Sequence, residues 1–242
     1  MLTTHKTGTL IVLAWPDTLV VKPGTWYDLP AKLAGIAKDN YYKAGHSAVI
    51  LVNHKTGSLH YFDFGRYHTP KQTGRVRDQI TDPDLTIRKN AVLDKRKQIG
   101  NIKEILLEVS KNRDTQCTGK MLASVYSGIN FNKVFLKAKE LQGRETMPYG
   151  PFDLRGTNCS RFVAQLARTG AKHWLTKLLL TVPYTVSATP LSNIRLVNNF
   201  THSYLVTCGR ITKIRCTIRH FIDLLFSYNK QKPDMSISVI KQ

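Results

Sequence analysis

Cys159 stands where a thiol could become a nucleophile. It falls in the run Thr157-Asn158-Cys159-Ser160-Arg161-Phe162, directly after a Gly/Pro-rich stretch over 147–157. The spacing of Phe162, Val163, Leu166 and Ala167 predicts a helix over 158–168, with Thr157 or Asn158 as N-cap. A thiol in the first turn of a helix meets unpaired backbone N–H groups and the positive end of the macrodipole. Both lower its pKa and favour the thiolate. The same N–H groups can hold the oxyanion of a tetrahedral intermediate. A free cysteine is more often a small buried hydrophobe, so the assignment needs a base.

His46 is the candidate base. It precedes a strand over 47–52, a turn over 53–58 with Gly57 in a left-handed position, and a returning strand over 59–64. In that hairpin the residues opposite His46 fall around Phe64–Arg66, which brings Asp63 within reach of the imidazole by a diagonal contact. A bulge at Gly57 would turn Asp63 to the opposite face and leave Tyr67, His68 or a backbone carbonyl to orient the ring. His60 sits too far toward the turn. A nucleophilic thiol, a base and a third group that holds the base form a catalytic unit for acyl chemistry. Arg155, in the irregular loop before the helix, is free to grip an anionic substrate group, with Asn158 and Tyr149 as further substrate-binding candidates. Arg161 lies roughly 200° around the helix from Cys159 and points to a side wall.

The elements that must carry these residues follow from hydrophobic pattern. A strand is expected over 9–14, a short helix over 31–38, a long polar loop over 65–84, a helix over 99–111, a strand over 121–126 and a helix over 132–142. Beyond 170 come an apolar stretch through Leu180 and a Pro-punctuated segment to about Asn199. The chain thus reads as a domain over 1–199 and a basic extension over 200–242, packed on the same domain or separate from it.

Composition excludes several classes. The 242 residues are ample for a packed core, and a hydrophobic fraction of 42% argues against disorder. Four Cys with no CxxC pair make neither a disulfide framework nor a zinc site. No apolar run approaches the ~18–20 residues needed to span a bilayer, and no cleavable signal is visible, so the default expectation is a soluble cytoplasmic protein. The net charge is +20, and no carboxylate occurs between Leu154 and Ile222, where ten Lys and Arg fall. Such a field attracts nucleic acid, anionic lipid or another polyanion. A second basic cluster spans 88–103.

A Gly-His opening a hairpin strand, followed about 110 residues later by Asn-Cys-x-x-Phe opening a helix, resembles the circularly permuted papain-like cysteine hydrolases. These are the permuted NlpC-type enzymes, whose relatives include lecithin retinol acyltransferase. In that group the His strand precedes the Cys helix, as His46 precedes Cys159. The resemblance covers residues 9–170 and is specific at Gly45-His46-Ser47 and around Cys159. It implies an α+β fold, an antiparallel sheet packed against the Cys-bearing helix, and amide or ester hydrolysis or acyl transfer through a thioester, with no metal or cofactor. The acyltransferase branch has Glu-His after its Cys. Ser160-Arg161 stand there instead, so lipid acyl chemistry is not implied. The rival functions are a basic polyanion-binding protein without catalysis and a membrane-surface protein using the 154–222 region. A small-molecule or peptide substrate is the partner of the first reading only.

Overall fold

The computed structural model describes residues 6–21, 37–38, 41–42, 45–151, 153, 155–181, 187–197 and 201–215. It is an α+β fold built on an antiparallel sheet. The strands are β1 (Gly8–Trp15), β2 (Val20–Val21), β3 (Ala37–Lys38), β4 (Tyr41–Tyr42), β5 (His46–Asn53), β6 (Leu59–Gly65), β7 (Thr73–Arg77), β8 (Met121–Ile129), β9 (Met147–Pro148), β10 (His202–Thr207) and β11 (Arg210–Arg215). The main sheet has the order β11-β10-β8-β1-β5-β6-β7-β9, and β2, β4 and β3 form a small second sheet. The helices are α1 (Ile102–Lys111), α2 (Phe131–Gln142), α3 (Cys159–Gly170), α4 (Trp174–Thr181) and α5 (Pro190–Val197).

β1 and β5 read as continuous apolar runs because both of their faces are covered. Leu10, Val12, Ala14, Val49 and Leu51 pack with Phe131, Val134, Phe162 and Leu166 of α2 and α3. Ile11, Leu13, Trp15, Ala48, Ile50 and Val52 pack on the other side with Ile102, Ile105, Leu106 and Val109 of α1. The β5–β6 turn closes with Gly57 N–H donating to the Asn53 carbonyl at 2.8 Å. Gly57 has φ +74°, and a Cβ there would lie 2.7 Å from the Ala91 carbonyl oxygen, so both backbone and space require glycine.

Several stretches differ from the sequence expectation. Of the helix expected over 31–38, only Ala37–Lys38 is described, and it is strand β3; the rest lies outside the described residues. The polar segment 65–84 contains β7, whose T-G-R-V-R sequence has one apolar residue. Its arginines are satisfied by carboxylates: Arg75 forks onto Asp82 with two 2.7 Å bonds, and Arg77 pairs with Asp63. A strand whose inward side chain is a guanidinium does not show the usual alternation. The segment after Leu180 contains α5, opened by Pro190 and a reciprocal pair in which Ser192 N–H donates to Thr189 Oγ1 and Thr189 N–H donates to Ser192 Oγ. Residues 202–215 form a hairpin whose β10 pairs with β8, extending the main sheet. No helix among the described residues is long and apolar enough to cross a membrane.

Candidate active site

His46 opens β5 because Gly45 lets the chain turn sharply into the strand. Gly45 has φ +67°, and a Cβ there would come 2.9 Å from the Trp15 carbonyl oxygen and 3.1 Å from Pro16 Cα. The β5–β6 register pairs Ala48 with Asp63, so His46, two residues earlier on the same face, meets Asp63 diagonally. His46 Nε2 lies 3.3 Å from Asp63 Oδ2, and the Tyr67 hydroxyl is 3.3 Å from the same nitrogen. His60 opposes Leu51, far toward the turn. His68 is exposed.

Asp63 is fully buried and heavily hydrogen-bonded. Arg77 donates from Nε to Oδ1 at 3.0 Å and from Nη2 to Oδ2 at 2.7 Å. Tyr61 and Tyr67 hydroxyls donate to Oδ2 at 3.0 and 3.2 Å. Arg77 also lies 3.4 Å over the Tyr67 ring, a cation–π contact that fixes both. Burial opposes the carboxylate, yet the Arg77 charge and these bonds outweigh it and hold Asp63 well below the usual carboxylate range. Among these residues, Tyr61 and Arg77 were not anticipated. Tyr61 shares a strand face with Asp63 at i, i+2, which was legible; Arg77 sat in a segment read as loop.

Cys159 is the first residue of α3. Asn158 caps the helix: its Oδ1 accepts from Arg161 N–H at 2.8 Å and its carbonyl from Phe162 N–H at 2.9 Å. Ser160 Oγ lies 3.8 Å from the sulfur, and the His46 ring and the Ser47 backbone N–H act on it electrostatically. Since Nε2 faces Asp63, Nδ1 is left as the ring nitrogen for the sulfur. Burial penalises the thiolate, but the His46 bond and charge prevail and lower the Cys159 pKa. Burial likewise opposes the imidazolium, and the Asp63 bond and Cys159 raise it to about 9. Both shifts favour the thiolate–imidazolium form of the pair over the neutral form. Cys117 behaves oppositely: burial pushes its thiol well up.

Around the thiol, Tyr149 stacks on Phe64 with ring centroids 5.8 Å apart and carries Arg66 5.2 Å over its face. Tyr149 bridges to Thr157, two residues before the thiol. Arg155 is exposed in the loop before α3. Arg161 Nη1 donates to the Gly150 and Asp153 carbonyls at 3.0 and 2.7 Å, tying that loop to the helix. No group of three or more His, Cys, Asp or Glu side chains among the described residues could hold a metal ion.

The profile of a protein family described as type VI secretion system effector TseH-like matches residues 10–174. The chain belongs to this family. The TseH-like region runs from β1 to the start of α4, and so encloses His46, Asp63, Tyr67, Arg77 and Cys159 while ending before α5 and the β10–β11 hairpin. The crystal structure of the type VI secretion system effector TseH resembles this chain with a TM-score of 0.56 and 21% identity, over 86% of this chain and 98% of that one. At that identity the likeness is one of fold. A comparison with curated proteins gives no match.

The Tyr67 hydroxyl touches both His46 and Asp63, so Tyr67→Phe keeps the ring under Arg77 and removes only those bonds. Thermal unfolding should show a loss of about 1–2 kcal/mol. A loss of zero would mean that water replaces the hydroxyl.

Proposed function

We propose that this TseH-like chain is a cysteine hydrolase or acyltransferase with a permuted papain-like arrangement, acting on an amide, ester or thioester. The observation that supports it most is the buried line Cys159–His46–Asp63, with the thiol at a helix start and the carboxylate neutralised from behind by Arg77. Buried titratable groups whose pKa values are driven this far from their ordinary ranges concentrate at functional sites.

In this reading the Cys159 thiolate attacks the carbonyl carbon, forming a C–S bond and an oxyanion. The backbone N–H of Cys159 and the positive end of α3 stabilise that charge. His46 gives its proton to the leaving nitrogen or oxygen as the C–N or C–O bond breaks, which leaves a thioester. Water, or an acceptor nucleophile, then attacks with His46 taking its proton, and the thiol is released. Asp63 holds the imidazole orientation and favours its charged form. Arg155, Tyr149 and Asn158 are the substrate contacts in this reading.

Family membership bears on location. An effector of a type VI secretion system leaves its producing cell without an N-terminal signal, so a substrate outside the cytoplasm comes within reach, peptide amides of a cell wall included. The expectation of a cytoplasmic protein then holds only for the time before export.

Labelling with an iodoacetamide probe, compared across wild type and the Cys117→Ala, Cys159→Ala, Cys208→Ala and Cys216→Ala variants, tests the reading. Strong labelling at pH 6–7 that disappears only in Cys159→Ala is expected. Equal, slow labelling of all four thiols would overturn it in favour of a polyanion-binding protein.

A further inference from the structure

The six large apolar side chains most exposed among the described residues are Ile80, Val92, Leu136, Trp174, Leu175 and Leu178. The first three are scattered, as single exposed apolar residues commonly are. The other three fall within five consecutive positions of α4, with 74%, 51% and 48% of their surface exposed. At 100° per residue, Trp174, Leu178 and Leu175 share an arc of about 100°. Thr176 and Leu180 occupy the opposite side and are buried. α4 is therefore apolar on the face it shows to solvent, the reverse of an ordinary surface helix.

The fringe of that face is cationic. Lys177 is exposed beside Trp174, and Lys172, just before the helix, is exposed with its Nζ 3.5 Å from the Ser127 carbonyl. Arg168 reaches from α3 to donate to Thr181 Oγ1 at 3.4 Å, on the same side as Trp174. The sequence supplies no carboxylate from Leu154 to Ile222 to offset these charges. A protein partner that covered Trp174 and the leucines would need only apolar surface. A partner that also satisfies three cations without receiving an anion in return must itself be densely anionic.

We propose that α4 docks the protein on a bilayer surface rich in anionic lipid. Trp174, Leu175 and Leu178 enter the boundary between head groups and acyl chains, as the apolar face of an interfacial helix does, and Arg168, Lys172 and Lys177 meet phosphates around them. Tryptophan suits that depth because its ring is apolar and its N–H is polar. The helix is only about 12 Å long, so attachment is weak and reversible, and it acts as docking and not as an anchor. The inference does not depend on the catalytic reading.

The test is sedimentation of the full chain with vesicles of mixed phosphatidylglycerol and phosphatidylcholine, against phosphatidylcholine alone. Binding to the mixed vesicles, weakening with salt, is expected. Leu178→Glu should reduce it about tenfold or more. Lys172→Gln and Lys177→Gln should each reduce it about fivefold. All three positions are exposed, so Cys159 alkylation should be unchanged, which separates failure here from failure of the enzyme reading. The pair Lys103→Gln and Lys111→Gln removes twice the charge of either lysine variant from α1, which packs on the other side of the sheet from α4, and should leave binding intact. Three results would overturn the proposal: no binding to mixed vesicles, equal loss from the Lys103/Lys111 pair, or a lipid-free dimer that Leu178→Glu dissociates.

Discussion

In the His46→Ala variant, alkylation of Cys159 should shift its inflection up to or beyond the ordinary thiol value of ~8.5. The sulfur is buried, and burial alone raises a thiol; His46 is the largest of the influences that bring Cys159 below its usual range, ahead of Ser160 and the Ser47 backbone N–H. Removing it leaves the desolvation cost in place. The position of the inflection is the decisive measurement, and the rate at one pH is not. An ordinary thiol is about 3% thiolate at pH 7, so full ionisation gains at most about 30-fold, and the lower intrinsic nucleophilicity of a low-pKa thiolate takes back part of it. Turnover carries a second signature. His46 must hold a proton for the leaving group, so activity should fall on the alkaline side through about pH 9. Stability follows the same sign. The raised His46 pKa contributes stability fully present below 6.5 and lost as pH climbs through about 9. The melting-temperature gap between wild type and His46→Ala should narrow across that window. An unchanged inflection in the variant would show that the low thiol pKa comes from the helix start alone.

The line from Cys159 to His46 was legible because each residue announces its place locally. The helix start is written in Asn158 and the apolar spacing of Phe162, Val163, Leu166 and Ala167. His46 is located by the Gly45 turn and the hairpin that follows. The side of the sheet on which Asp63 lies was not legible. It depends on whether the Gly57 turn inserts a residue into the ladder, and strand sequences buried on both faces show no alternation that would mark the face. The observed register, Ala48 opposite Asp63, puts Asp63 on the face of His46.

What stayed hidden has two causes, long-range partners and short length. β7 was concealed because Arg75 and Arg77 are satisfied by Asp82 and Asp63, partners that only the folded chain brings together. α5 was concealed by length: eight residues carry little more than two turns of periodicity, and its Thr189–Ser192 cap was a weaker signal than the surrounding prolines suggested. β10 (H-S-Y-L-V-T) and β11 (R-I-T-K-I-R) show no clean apolar alternation, and their place on the sheet is set by the pairing of β10 with β8, on the far side of β1 from the hairpin. For β7 and the β10–β11 hairpin a long-range partner supplied what local pattern could not.

Arg77→Met should destabilise the chain by about 3–5 kcal/mol, because it strips the cation from a fully buried carboxylate and leaves the Asp63 charge uncompensated. Methionine keeps much of the apolar stem, so the loss reports charge more than packing. The effect should depend on pH in a direction set by Asp63. Its depressed pKa contributes stability present above the unfolded value of ~3.9 and lost as pH falls below it. In the variant that pKa rises, so the gap to wild type should be widest at neutral pH and shrink in acid. Combining Arg77→Met with Asp63→Asn should cost less than the two single losses added, since the amide removes the orphaned charge and keeps acceptors for Tyr61 and Tyr67. Stability and chemistry then separate. The double variant has no carboxylate facing His46, so the imidazolium is less favoured and the alkaline limb of turnover should move below about 9. A loss under about 1 kcal/mol for Arg77→Met would place Asp63 in contact with water. The carboxylate would then be an ordinary hydrated group, and its hold on His46 would have to come from geometry alone.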